Sequence, residues 1–415
     1  MFRKEKHLIS AGKRAASLIA LVAATFVTAM PGPQGQAYAM TTAEFLSTLS
    51  TSEARELQAW KSARRAHEQR LDAYWDKVDA KRAERKKKRQ QVESFSPSDY
   101  VMTLPPSYSG PKLPDGLAAK YAKFLAEQEK RDPSPSQELP RVEDYLQAAK
   151  RVYGFVPERL SEQEFKRRYA EEAHALGLPK EQVVRVYALE TGGIGTYDMQ
   201  AGIHPIKKTG RPISSALGYA QLLDANSVNE LTLNGARFIE RMEQKAASSK
   251  ISTERRAALK KKTAVLKRMY ANVKRVPFEW SRHQRYAKTP EGMGIHVLNI
   301  DGDIGPMLQA NKLKGLKDLA AKKGRPNLTG AQIEVMNLSG PATGLELMQP
   351  AGLKAPVTNF FARKAYYVNK MVIGLTGEQL LAELDRRMEL SMKAQGSIEF
   401  AAAFDAVIAA KTAGR

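Results

Sequence analysis

An apolar segment that ends in one acidic residue places the strongest constraint on how this chain folds. The segment VVRVYAL (183–189) is apolar except for one arginine, and it leads directly into Glu190 and two glycines. An apolar run of this kind is typical of a buried helix, and Pro179 followed by Glu181 indicates where that helix begins. The chain is therefore predicted to bury a helix whose last turn carries a carboxyl group.

Glu190 is the first candidate catalytic residue. A carboxyl group that loses contact with water has a raised pKa, so it can stay protonated near neutral pH and act as a general acid. The alternative is a solvent-exposed glutamate at a helix C-terminus with no chemical role. Neighbouring motifs favour the first interpretation.

A second apolar run, ALGYAQLL (216–223), contains a glycine, an aromatic side chain and an amide. Together with the first segment it resembles the lytic transglycosylases, lysozyme-like enzymes that cleave the glycan strands of peptidoglycan. That family has, in order, Glu-Ser-Gly, Ala-x-Gly-Leu-Met-Gln-Leu, Ala-Tyr-Asn-Ala-Gly-Pro and Tyr-Val-x-Lys-Val. The corresponding segments here are ETG (190–192), ALGYAQL (216–222), VMNLSGP (335–341) and YVNKMV (367–372).

The resemblance implies a lysozyme-like α-helical catalytic domain and a set of site residues. Glu190 would protonate the leaving glycosidic oxygen, and it would then accept the proton of the muramoyl 6-hydroxyl as a 1,6-anhydro ring closes. Gln221 would hydrogen-bond the substrate, Gly218 would let the backbone approach the sugar, and Asn337 would hold an acetamido group. The alternatives are a polar residue at a helix start for Gln221 and an ordinary turn glycine for Gly218.

Two tyrosines complete the predicted site, and one methionine departs from the family pattern. Tyr219 and Tyr367 could stack on pyranose rings; Tyr367 could instead hydrogen-bond Glu190, and Tyr219 could equally belong to the core. Met336 stands where the family has tyrosine, and the gap between the second and third motifs is longer than in the family. These departures keep open a protein that binds peptidoglycan without cleaving it.

Asp198 is the second carboxylate to consider. Glycoside hydrolysis usually uses two carboxylates, although substrate-assisted enzymes dispense with one. If Asp198 faced Glu190 across a cleft, it could activate water, and the chain would be a muramidase-type hydrolase. A turn aspartate without a catalytic role is the favoured alternative.

Composition limits the cofactors and partners. The chain has no cysteine, which excludes disulfides, thiolate metal sites and cysteine nucleophiles, and its six histidines show no zinc-binding spacing. No metal site and no cofactor are therefore predicted. The net charge of +22 suits attraction to polyanions such as peptidoglycan stem carboxylates or anionic lipid headgroups, or it merely keeps a solvated surface soluble.

Residues 1–39 have the features of a secretory signal peptide. A basic start is followed by an apolar stretch from Ala15 to Met30 and by Ala37-Tyr38-Ala39, which fits a small-x-small cleavage site. An uncleaved membrane anchor is the alternative. The prediction is a soluble periplasmic protein that begins near Met40, and export makes nucleic acid a poor partner.

The rest of the chain is predicted to be mainly α-helical. Residues 40–93 read as a charged helical arm, in which the run KRAERKKKR (81–89) is expected to face solvent or to be disordered. Residues 94–135 form a Pro/Ser-rich linker with one helix, and residues 136–415 form the lysozyme-like domain. A basic helical insertion is expected at about 238–276, and a small hairpin could join 192–200 to 209–213. A cell-envelope protein could dock on the arm.

Overall fold

The computed structural model describes residues 40–131 and 138–413, and this part of the chain is mainly α-helical, as the sequence predicts. Four short 3-10 turns and no β-strand accompany the helices of these described residues. The helices are α1 (Thr42–Ser47), α2 (Thr51–Gln90), α3 (Asp115–Arg131), α4 (Val142–Tyr153), α5 (Glu162–Ala175), α6 (Lys180–Thr191), α7 (Asp224–Ala247), α8 (Thr253–Val273), α9 (Trp280–Tyr286), α10 (Pro290–His296), α11 (Ile304–Lys322), α12 (Gly330–Ser339), α13 (Pro341–Leu347), α14 (Pro350–Lys354), α15 (Arg363–Val368), α16 (Gly377–Met392) and α17 (Gln395–Ala413).

The smaller of two compact units contains residues 40–54 and 114–131. Thr41 and Glu44 cap α1 reciprocally: the Thr41 hydroxyl accepts the Glu44 N–H at 3.2 Å, and the Glu44 carboxylate accepts the Thr41 N–H at 2.6 Å. The buried ring of Phe45 stacks on Phe124 with 4.4 Å between ring centroids. The cap thus fixes the start of α1, and the aromatic pair holds α1 against α3.

The larger unit contains residues 55–113 and 138–413, including every predicted site residue. Its central element is α6, whose Val183, Val184 and Val186 are at most 1% exposed, as the apolar run predicts. Helices α12, α16 and α17 pack against α6. The predicted basic insertion is a helical pair, α7 with α8, although α7 begins earlier than expected, at Asp224.

The basic run on α2 differs from the prediction, because part of it is buried in the larger unit. Arg85 is only 1% exposed, and it donates to the Glu346 carboxylate at 2.6 Å and to the Asp99 and Asn359 carbonyls at 2.8 Å each. Arg82 donates to the carbonyl of Phe361 at 2.8 Å. The expectation of a wholly solvent-facing run was wrong, because Glu346 and free carbonyls from distant segments accept these guanidinium groups.

The loop between α6 and α7 carries no ladder of strand pairs, yet it is held by a few backbone bonds. Ile203 pairs with Gly210, and the Ile213 N–H donates to the Ala201 carbonyl at 3.0 Å. Gln200 pairs with Leu217 instead of with the segment 209–213. The predicted hairpin is therefore only partly formed.

The described residues include no helix that is long and apolar enough to cross a bilayer. The signal peptide predicted at 1–39 lies outside these residues.

Candidate active site

The backbone at the end of α6 fixes the position of Glu190. Gly192 ends the helix in the left-handed conformation, with φ of 64°. Gly193 follows with φ of 71°, and a Cβ there would lie 2.3 Å from the Ser391 carbonyl oxygen. Only glycine fits this close approach. The glycine pair therefore anchors the Glu190 end of α6 against the segment that joins α16 to α17.

Helix α12 brings two polar side chains to Glu190. The Asn337 amide nitrogen Nδ2 donates to Glu190 Oε1 at 3.1 Å and to Glu334 Oε1 at 3.3 Å. Glu334 and Asn337 are three residues apart, so they lie on the same face of α12. The structure thus brings together the first and third motifs of the sequence and adds a glutamate that the sequence analysis missed.

The two carboxyl groups flank the Asn337 amide, and Glu334 lies close enough for its charge to raise the pKa of Glu190. Burial raises the pKa of Glu190 well above its usual value, and repulsion from the Glu334 charge raises it further. Burial also raises the pKa of Glu334, against the lowering effect of hydrogen bonds from Glu190 and Asn337. Both pKa values are thus raised, Glu190 is the stronger candidate to keep a proton, and the two groups titrate as a coupled pair.

Exposure assigns the two glutamates different roles. Glu334 is 0% exposed, whereas Glu190 is only partly buried. Glu334 Oε2 is a buried oxygen that no hydrogen-bond donor of the described residues reaches. Because Glu334 has no exposed surface, it can act on a substrate only through Glu190.

A cation on α11 partly compensates the acids. Lys312 lowers the pKa of Glu334, and it has the same effect on Glu230 of α7, which is 5% exposed and accepts from Asn234 at 3.0 Å. Burial nevertheless raises the pKa of Glu230 above its usual value. One lysine thus partly offsets the charge of two buried carboxyl groups, Glu334 of α12 and Glu230 of α7.

Gly218 and Gln221 shape a tight turn in the loop that precedes α7. Gly218 has φ of 77°, and a Cβ there would lie 2.6 Å from the amide nitrogen of Gln309. Gln221 has the unusual φ of 40°, and its side-chain amide donates to the Gly218 carbonyl at 2.8 Å. The close approach that Gly218 permits is therefore to Gln309, and Gln221 holds the turn in a strained conformation of the kind found at functional sites.

Tyr219 belongs to the core, the second of the two alternatives. Its side chain is 1% exposed, and its ring meets Tyr187 edge-on at 4.7 Å between centroids. Its hydroxyl bonds to the carboxylate of Glu162. A ring so enclosed has no face open to a sugar.

Tyr367 and Met336 are also placed differently from what the motifs suggest. Tyr367 is 41% exposed and lies against Trp75 and Tyr366, and no hydrogen bond joins it to Glu190 in residues 138–413. Met336 is 0% exposed, with its backbone packed against Gly344. A methionine there changes the core and cannot itself alter a substrate contact.

The surroundings of Asp198 do not suit a base that activates water. Its carboxylate accepts from Arg159 at 2.5 Å, Thr196 at 2.6 Å and Lys208 at 3.0 Å. Burial alone would raise the pKa of Asp198, but the bonds from Thr196 and Lys208 outweigh it and lower that pKa. Asp198 lines a separate cavity of about 500 Å³ with Arg159 and Lys208. Its charge is thus already neutralised by cations.

The comparisons with known proteins identify no relative. The chain matched no family model, no curated protein and no solved structure. The described ranges 40–131 and 138–413 also contain no group of three or more His, Asp or Glu side chains that could hold a metal ion.

Proposed function

We propose that this protein is a peptidoglycan lytic transglycosylase that cleaves the bond between N-acetylmuramic acid and N-acetylglucosamine and leaves 1,6-anhydro ends. The observation that carries the proposal is Glu190, a partly buried residue whose carboxyl accepts a bond from Asn337 and lies near the buried Glu334. Burial and the Glu334 charge both raise the pKa of Glu190. Such a group can give a proton to a leaving oxygen and take one back.

The arrangement favours chemistry with a single reactive carboxylate. Hydrolases with two catalytic carboxylates hold them about 5–5.5 Å apart for attack on the sugar, or about 6.5–9.5 Å apart to admit water. Glu334 instead touches Glu190 and is fully buried, and Asp198 is occupied by Arg159 and Lys208. The remaining nucleophile is then the substrate's own 6-hydroxyl, with the N-acetyl group stabilising the cationic sugar.

The proposal includes a lysozyme-like helical fold and a place in the periplasm. The order of the four motifs and the helical content are consistent with such a fold, and the leader predicted at 1–39 is the basis for export. Peptidoglycan strands are the proposed partner, and neither a cofactor nor nucleic acid is part of the proposal.

A second candidate function is peptidoglycan binding without turnover. The observation that favours it is the basic surface of α8, where Lys260, Lys261, Lys267 and Arg268 are exposed. Lys262 on the same helix turns inward and pairs with Asp303 at 2.5 Å. The exposed cations could hold anionic wall polymers whether or not Glu190 is active.

The experiment is cleavage of purified sacculi by the wild type and by Glu190→Gln. Loss of a general acid–base group typically reduces rates by about 100- to 10,000-fold, so cleavage should fall to background while sacculus binding persists. The matched control, Asp198→Asn, should retain activity, because anhydro-ring closure needs no activated water. The released muropeptides should be about 18 Da lighter than hydrolysed ones, which is the mass of one water.

Three results would contradict the proposal in different ways. Wild-type cleavage by Glu190→Gln would remove Glu190 from the active site. Hydrated products would indicate a muramidase-type hydrolase. Binding without any cleavage by the wild type would establish the second candidate function.

A further inference from the structure

Two large aromatic side chains are exposed where α9 begins. Phe278 is 59% exposed and Trp280 is 45% exposed. The segment is nonetheless well anchored: Phe278 meets the ring of His283 edge-on at 5.4 Å between centroids, and His283 is 0% exposed and bonds Asn229 of α7 at 3.2 Å. Contiguous exposed apolar groups on a rigid support are characteristic of interaction sites, unlike a single exposed leucine.

A third apolar side chain extends this surface along α7. Leu233 is 58% exposed and lies one helical turn beyond Asn229, on the same face of α7. We call Phe278, Trp280 and Leu233, with the cations described next, the α9 surface.

Four cations surround these apolar groups. Lys274, Arg275, Arg282 and Arg285 are all exposed. The one acid between residues 274 and 288 is Glu279, which lies 3.8 Å from Arg282. Exposed aromatic rings thus stand among an excess of positive charge.

We propose that the α9 surface docks on a bilayer that contains anionic phospholipids. Tryptophan and phenylalanine rings bury favourably at the level of the headgroups, and arginine and lysine stems can lie along the same depth with their charges in the headgroup layer. Anionic headgroups provide the complementary charge. The net charge of +22 adds long-range attraction to such a surface.

The observations favour a bilayer over a glycan as the occupant. A sugar can stack on an exposed aromatic ring, and wall carboxylates can pair with cations, but neither gains from the aliphatic side chain of Leu233, which is 58% exposed. The boundary between headgroups and acyl chains would bury all three apolar side chains. The docking described here takes place through side chains at the level of the headgroups. The proposal does not depend on Glu190 or on any step of glycan cleavage.

The test is sedimentation of the full chain with vesicles of phosphatidylcholine alone or with about one third phosphatidylglycerol. Binding is expected only to the anionic vesicles, and it should weaken with salt because screening shortens the reach of charges. The double variant Phe278→Ser/Trp280→Ser should bind at least about tenfold more weakly. Vesicle binding should weaken by up to about fivefold in each of three single variants, Arg275→Gln, Arg282→Gln and Arg285→Gln.

A matched control uses two exposed apolar residues elsewhere, Leu390 at 55% and Ile398 at 52%. Leu390→Ser/Ile398→Ser should bind vesicles as the wild type does, which separates docking by the α9 surface from general stickiness. Trp280 also reports directly: vesicles should shift the fluorescence of the wild type to the blue and leave that of Trp280→Phe largely unshifted. Circular dichroism verifies that each variant is folded.

Several outcomes would overturn the inference. Equal binding to neutral vesicles, or unchanged binding by the folded Phe278→Ser/Trp280→Ser variant, would exclude it. The inference would also be excluded if the double variant kept vesicle binding and lost sacculus binding, because the α9 surface would then bind glycan and not lipid.

Discussion

Replacing Glu334 with glutamine should make the protein more stable at neutral pH. Glutamine keeps the shape of the side chain and can still accept from Asn337, but it carries no charge. In the wild type, burial and the repulsion between Glu190 and Glu334 both favour a pair that keeps one proton. The variant removes the repulsion, because a neutral amide can donate to an ionised Glu190, whereas burial still raises the Glu190 pKa.

The size of the effect follows from the pH range over which the proton is retained. In the unfolded chain a glutamate loses its proton near the ordinary pKa of 4.5, whereas the folded pair keeps it because the pKa of Glu190 is raised. The folded state binds more protons above pH 4.5, so the free energy of unfolding decreases as pH rises. Each pH unit above 4.5 over which the folded pair keeps this proton costs about 1.4 kcal/mol. Glu334→Gln should recover the part of this cost that the Glu334 charge causes, the part due to burial of Glu190 should remain, and nothing should be recovered below pH 4.5.

Urea unfolding at several pH values between 4 and 8 measures this difference. A control with the opposite sign is Glu164→Gln, because the hydrogen bond from Arg167 chiefly lowers the pKa of Glu164 to about 2. That variant should lose stability above pH 4.5, and the loss should vanish as pH falls towards 2. A Glu334→Gln effect that is independent of pH, or destabilising throughout, would refute the shared-proton argument.

The same substitution should lower activity while it raises stability. Without the Glu334 charge, the pKa of Glu190 falls, and less of the acid form remains at neutral pH. The alkaline limb of the pH profile of cleavage should therefore move to lower pH. An unmoved limb would show that Glu334 does not control the protonation of Glu190.

Two further predictions concern the framework around the site. Arg85→Met should lower the free energy of unfolding, measured in urea, by about 3–5 kcal/mol, because it removes the buried partner of Glu346. Adding Glu346→Leu should restore part of that loss. A single variant as stable as the wild type would contradict this prediction. Gly218→Ala should lower the free energy of unfolding by at least about 1 kcal/mol, because φ is 77° and Gln309 leaves no room for a Cβ. Gly116→Ala, in open space on α3, should not destabilise the protein. Equal effects of the two substitutions would refute the argument from strain at Gly218.

The helices can be predicted from the sequence because the apolar spacing that marks them repeats within short stretches of the chain. The buried α6 and the helical pair at 238–276 follow from apolar spacing alone, and motif order places Glu190 and Asn337 in one site, where the structure has them 3.1 Å apart. Glu334 had a usable signal, namely its spacing of three residues from Asn337 on one helix. An acid next to the proposed catalytic acid was nevertheless not expected, since like charges repel.

Other features depend on partners that a local pattern cannot show. Arg85 lies within a run of cations that by composition should face water, and only the distant Glu346 makes its burial possible. Tyr219 has the same sequence context whether it stacks on sugar or packs on Tyr187, and the choice depends on the position of α6.

The bond between Arg85 and Glu346 has a consequence for how the protein is made. The two residues are 261 positions apart, so at roughly 5–20 residues per second the ribosome adds Glu346 about 10–50 s after Arg85. Until then the basic segment 81–89 lacks Glu346, the acid that pairs with its buried residue Arg85. The larger unit can therefore close only late, when most of the chain has emerged, and a chain shortened to begin at residue 136 would leave Glu346 without Arg85 or Arg89.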